Sequence, residues 1–202
     1  MRSDSLSRLP AILALVCAAG LVLLVTACGG DDEPTDGDTT GAESPADGNG
    51  DGDELSLEEY FQRIDAIFER SDEEIDALNT ELTEATGPGV GLEDGITAID
   101  DFLSESVTVL TDAVNEMEAL NEPSEVSDAQ ADFTAAIRDA TDQAETFQED
   151  LQGVTTEEEL EELVSQFDQE TTQTTQEADA ACLELQGIAD DNSIIVDLNC
   201  ED

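Results

Sequence analysis

The stretch Ser56-Leu57-Glu58-Glu59-Tyr60-Phe61-Gln62-Arg63-Ile64-Asp65-Ala66-Ile67-Phe68 decides the fold class. Ser56 and Glu59 stand in the relation of a capping box, in which the serine oxygen and the glutamate carboxylate each satisfy an otherwise orphaned amide of a first helical turn. Beyond the cap, Leu57, Phe61, Ile64, Phe68, Ser71, Ile75, Leu78 and Leu82 follow one another by steps of four and three. That spacing lays a single stripe along one helix face. Gly87-Pro88-Gly89 then ends the helix, because neither residue type continues one.

The same pattern recurs three times. A second helix starts near Leu92 and carries Ile96, Ile99, Leu103, Ser106, Leu110, Ala113, Met117 and Leu120 until Asn121-Glu122-Pro123 stops it. Ser124 is a candidate N-cap for the third, whose stripe is Val126, Gln130, Phe133, Ile137, Ala140, Ala144, Phe147, Leu151 and Val154, with Gly153 breaking its end. Thr155 or Thr156 caps the fourth, and Glu157, Glu158 and Glu159 face the positive end of its dipole. Its stripe is Leu160, Val164, Phe167, Thr171, Thr174, Ala178, Ala181, Leu185 and Ile188. The threonine tract Thr171-Thr172-Gln173-Thr174-Thr175-Gln176 lowers helix propensity locally and makes a kink there a reasonable expectation.

Short connections after the second and third helices favour antiparallel neighbours, and four amphipathic stripes need one another to exclude water. The expected fold is therefore all-α, an antiparallel up-down four-helix bundle over residues 55–202. An elongated three-helix or two-plus-two coiled coil is the rival. The terminal segment Ile194-Ile195-Val196-Asp197-Leu198-Asn199-Cys200 is apolar and short. It is expected to fold back along the fourth helix, or to form a short strand that would lack a partner.

Fifty-three acidic residues oppose five arginines, with no lysine or histidine, for a formal charge of −48. Such a surface repels nucleic acid and anionic head groups, so no nucleic-acid partner is expected; cations and cationic ligands are the partners it attracts. The acidity equally serves solubility, including in a saline habitat that screens self-repulsion over a short Debye length.

Arg2 and Arg8 flank a charged start, and Leu9 to Ala27 carries no charge. This is the order of a signal peptide, a basic region followed by an apolar one, and the arginines keep the N-terminus in the cytoplasm. The run is just long enough for an uncleaved membrane anchor, which is the alternative. At its end, Leu24-Val25-Thr26-Ala27-Cys28 resembles the lipobox of bacterial lipoproteins, with an aliphatic residue three positions before the cysteine and small residues between. The resemblance covers only the first thirty or so residues. It implies cleavage after residue 27, a diacylglycerol on Cys28, and a protein held by that lipid on the extracytoplasmic face of the cell membrane. Removing 1–27 takes away Asp4, Arg2 and Arg8, leaving 52 acids and three arginines.

Residues 28–54 read as a tether. Asp31, Asp32, Glu33, Asp36, Asp38, Asp47, Asp51 and Asp53 alternate with glycine, threonine and proline, and no large apolar residue occurs. A segment like this buries too little surface to offset ordering entropy and is expected to be disordered and extended. Within it Asp47, Asn49 and Asp51, with Gly52 and Glu58, fit the spacing of an EF-hand calcium loop. The match is weak, because no helix precedes it and Glu54 occupies a position usually apolar, so no metal is assigned.

Of four cysteines, Cys17 leaves with the signal and Cys28 is the lipidation site. Cys182 and Cys200 remain as an even pair in an oxidising compartment, which favours a disulfide. A zinc site is the poorer reading, since two thiols without histidine supply half the ligands.

Catalytic constellations are missing. Without histidine, lysine or a free mature cysteine there is no serine–histidine, cysteine–histidine or Schiff-base chemistry. A ferritin-type di-metal site also requires histidine. Acid pairs carry no information in a chain so rich in them, and the six Phe, one Tyr and no Trp leave little to stack a sugar. The expectation is a non-enzymatic interaction or scaffolding module without a cofactor, whose partner is an envelope protein. The alternative is a binding module for cations or a small cationic ligand. Ser71, Ser106, Ala140, Thr171 and Thr174 fall near the middle of their stripes and would stack as a partly polar layer. Hydroxyls there either return hydrogen bonds to their own helices and set register, or line a small mid-bundle pocket.

Overall fold

The computed structural model describes residues 54–87, 89–198 and 200; Cys28 and the remainder of the N-terminal 53 residues lie outside them. Four helices follow in order: α1 (Leu57–Ala85), α2 (Leu92–Glu118), α3 (Ser127–Leu151) and α4 (Glu157–Asp191). Together they form an all-α bundle, and no strand occurs among the described residues. At a rise of about 1.5 Å per residue the helices span roughly 38 to 53 Å. None of them is long and apolar enough to cross a membrane.

Two helix starts follow the sequence closely. Ser56 is extended, its hydroxyl accepts from Glu59 N at 3.3 Å, and Glu59 Oε2 accepts from Ser56 N at 3.3 Å. The Ser56 hydroxyl also donates to Glu59 Oε2 at 2.7 Å, and this bond first, with the one from Ser56 N, holds the Glu59 carboxyl below its ordinary range. At α4 it is Thr156 that caps, accepting from Glu159 N at 3.2 Å while Glu159 Oε2 accepts from the amides of Thr155 and Thr156 at 2.8 and 3.0 Å.

The start of α3 departs from expectation. Ser124 does not cap it; the N-cap is Val126, with no side-chain hydrogen bond. A tight turn from Pro123 to Val126 intervenes, closed by Val126 N on the Pro123 carbonyl at 3.0 Å. Ser124 N instead donates to Glu54 Oε1 at 2.6 Å, and Leu55 N donates to the Asn121 carbonyl at 2.8 Å. The loop between α2 and α3 therefore clasps the beginning of α1. Helix α4 runs unbroken through its threonine tract, where Thr171 and Thr172 donate to the carbonyls of Phe167 and Asp168.

The core is divided in two. One cluster gathers Tyr60 to Phe68 of α1, Leu110 to Met117 of α2, Val126 to Ile137 of α3 and Ala178 to Ala189 of α4. The other gathers Ile75 and Leu82, Ile99 to Leu103, Phe147 and Leu151, and Leu160 to Phe167. Each cluster joins opposite ends of successive helices, the distribution that alternating helix directions produce. The first cluster lies at the end where residue 54 enters and is called proximal; the second is distal. Close backbone approach is most extensive between α3 and α4, then between α1 and α2 and between α2 and α3, and is sparser in the remaining pairs.

Past α4 the chain turns through Ser193 at φ 59° and runs back along the helix. Gln186 substitutes for a strand partner: its Nε2 donates to the Val196 carbonyl at 3.1 Å and its Oε1 accepts from Leu198 N at 2.9 Å. Exposure alternates along the tail, with Ile195 fully exposed and Leu198 buried in the proximal cluster. Cys182 and Cys200 form a disulfide, their Cα atoms 5.6 Å apart, which closes the tail onto α4 as the pairing of the cysteines suggested.

Candidate functional site

Between the two apolar clusters lies a polar layer. Ser71, Ser106, Thr171 and Thr174 are all buried there, as their mid-stripe positions suggested. Ala140 is only half-buried, and the neighbouring Thr141 takes the buried position on α3. Most of the hydroxyls bond to their own helix: Ser71 Oγ to the Ile67 carbonyl at 2.9 Å, Thr171 Oγ1 to Phe167 at 2.9 Å and Thr141 Oγ1 to Arg138 at 2.7 Å. A cross-helix bond comes from Gln143 of α3, whose Nε2 donates to Thr174 Oγ1 of α4 at 2.8 Å. Ser106 Oγ is buried with no protein partner, as are Gln143 Oε1 and one oxygen each of Asp72 and Asp168. Burial, with the Asp76 charge as a smaller cause, pushes the Asp72 carboxyl up to about 6, and burial raises that of Asp168 as well.

Among the described residues are two grooves of about 410 Å³ each, neither lined by any of Ser71, Ser106, Ala140, Thr171 or Thr174. The distal groove lies between α1 and α2. Leu78, Leu82, Ala85, Ala98 and Phe102 supply its apolar wall, and Glu81, Asp94, Asp101 and Glu105 its carboxylates, with Thr97 completing it. The proximal groove lies between α3 and α4 on a floor of Ala135, Ala136, Ala180 and Ala181, edged by Asp132, Asp139, Glu177 and Glu184. Both grooves are part-open to solvent and neither is lined by a basic side chain. The alanine pairs on α3 and α4 were the sequence signal for the second groove, since small side chains leave space between helices.

Among the described residues, positive charge is confined to the proximal half. Arg70 of α1 bridges to Glu116 of α2 at 2.7 Å, and Arg138 of α3 pairs with Glu118 of α2. Arg63 lies nearer still to the start of α1. Beyond the polar layer, no described residue of the distal half is basic.

Among the described residues, no group of three or more histidine, cysteine, aspartate or glutamate side chains is arranged to hold a metal ion. Of the calcium-loop match, Asp47, Asn49 and Asp51 lie outside the described residues, and Glu58 sits exposed in the first turn of α1. In both grooves carboxylates stand beside apolar surface. Compared with known protein families, curated proteins and solved structures, the chain matches none.

Proposed function

We propose that the chain is an extracytoplasmic lipoprotein, anchored to the cell membrane by lipid on Cys28, whose helical bundle is a non-enzymatic interaction or scaffolding module. The carrying observation is the placement of Leu24-Val25-Thr26-Ala27-Cys28 at the end of an apolar run and immediately before an acidic, glycine-rich spacer. That spacer ends where the clasped start of α1 begins, so the bundle would hang from the membrane by its proximal end.

Mass spectrometry of the membrane-extracted protein tests the anchor. The expected species begins at Cys28 and carries acyl chains, and Cys28→Ala is expected to move the protein to the aqueous fraction. An intact leader or a bare thiol at Cys28 refutes it. Cross-linking on intact cells tests the interaction role, which fails if no envelope protein is joined to the bundle.

A second reading, a binding module for cations or a small cationic ligand, is favoured by the two carboxylate-edged grooves. In this reading the ligand occupies the surface rather than the mid-bundle layer. A melting temperature unchanged across polyamines and divalent cations at fixed ionic strength would count against it.

A further inference from the structure

We infer that the distal groove between α1 and α2 is a docking trough for a basic amphipathic helix, an assignment that rests on the interaction-module reading. Three observations carry it. Leu78, Leu82 and Phe102 give the trough an apolar wall, and Ala98 leaves the space between them. Of its lining carboxylates, Glu81 is on α1 and Asp94, Asp101 and Glu105 are on α2, so both helices contribute acidic groups. No described residue of the distal half supplies a cation to neutralise them, whereas the proximal half has Arg70 and Arg138 in ion pairs.

The shape selects the kind of partner. A groove half open to solvent encloses a small molecule less completely than the roughly 70–90% burial typical of ligand pockets. A helix laid lengthwise can place apolar residues at i, i+3/i+4 against the wall and project lysine or arginine to either edge. Asp101 and Glu105 are themselves one turn apart on α2 and match such a rim. Charge complementarity of this kind chiefly speeds encounter and sets specificity, while the apolar contact holds the complex. The location agrees, because the trough is at the end of the bundle farthest from residue 54 and would face a partner arriving from outside the membrane. The proximal groove is the poorer candidate by position, since it lies at the end nearer residue 54, and its apolar lining is alanine alone, with no larger side chain against which a helix could lock.

The test uses the full chain and a fluorescent Leu/Lys peptide with apolar residues at helical spacing, against a permuted peptide of the same composition with no apolar face. At ~0.15 M salt, anisotropy is expected to show the patterned peptide binding about tenfold or more tightly than the permuted one. The pair Asp101→Asn, Glu105→Gln is expected to weaken binding about tenfold, and the charge-matched pair Asp139→Asn, Glu177→Gln in the proximal groove by less than about twofold. Ala98→Gln fills the trough without changing charge and is expected to weaken binding as well, with circular dichroism confirming that the helices persist. Equal binding of the two peptides, equal effects of the two charge pairs, or no binding overturns the assignment. If cross-linking nevertheless joins an envelope protein to the bundle, the interaction module stands and its partner binds elsewhere.

Discussion

Gln143 on α3 reaches Thr174 on α4, donating from Nε2 to Oγ1 at 2.8 Å, within the polar layer that separates the proximal and distal clusters. The oxygen of the same amide, Oε1, is buried and without a protein partner. The link is therefore sensitive to loss of its acceptor, because a second buried group of Gln143 would then go unsatisfied. Thr174→Val is expected to cost about 1 to 3 kcal/mol, whereas Thr171→Val, whose hydroxyl merely returns to the Phe167 carbonyl, is expected to stay within about 0.5 kcal/mol of the parent. Urea denaturation of the two variants decides it, and equal losses would assign the layer no cross-helix role.

Ser106 gives the opposite sign. Its hydroxyl is buried on α2 with no protein partner, and alanine has the better helix propensity. Ser106→Ala is expected to leave stability unchanged or raise it by up to about 1 kcal/mol. A loss of more than that, measured by the same denaturation, would mean that the hydroxyl is satisfied in solution.

Asp72 makes stability depend on pH. Burial raises its carboxyl from the ordinary range to about 6 in the folded chain, so folding binds a proton that the unfolded chain has already released in the interval between. Its contribution therefore falls as pH rises from about 4 to about 6, and the penalty is constant above that. Glu59 and Glu159, held low by their cap hydrogen bonds, act in reverse, stabilising above the ordinary glutamate range and losing that contribution as pH falls below it. Asp72→Asn is expected to raise stability at neutral pH by about 1 kcal/mol, after allowing for solvent screening of a half-buried group, and to flatten the slope between pH 4 and 6. Thermal melts at a series of pH values check both.

The disulfide holds the tail to α4. In the chain-entropy account, closing a loop of this length is worth roughly 3 kcal/mol, and Cys182→Ala with Cys200→Ala is expected to cost about that. Limited proteolysis should then cut first in the released tail around Ile195, which is fully exposed already. Cleavage elsewhere in the bundle before the tail would contradict the pinning role.

Much of the bundle was legible because one periodicity runs through all four helices. Phe61, Ile64, Ile75, Ile99, Leu103, Phe147, Leu160 and Leu185 are buried where their steps of three and four place them. Capping boxes were readable because their chemistry is local, as Ser56 and Thr156 show. What was not legible depends on neighbours. A stripe at heptad spacing is narrower than the face a bundle buries, so Tyr60, Ile67, Phe102 and Val114, at the flanks of their stripes, were missed. The same limit put Ala140 in the layer in place of Thr141. Ser124 met a cap's composition but lies two residues before the N-cap, Val126, where its amide is taken by Glu54. The grooves depend on spacing between helices, which a single stripe does not encode.

The polar layer also divides the molecule mechanically. Every described ion pair, the disulfide and the clasp between the α2–α3 loop and the start of α1 belong to the proximal half, while the distal half is held by packing, its cap and loop bonds and the donation from Gln148 of α3 to Asp100 of α2. Local opening follows where fewest contacts resist it. The far tip therefore breathes more readily than the root, and amide exchange should be quickest in the turns of α1 and α2 that form the trough. A stiff base with a compliant tip lets the docking helix widen the trough as it enters without unfastening the bundle from its foot.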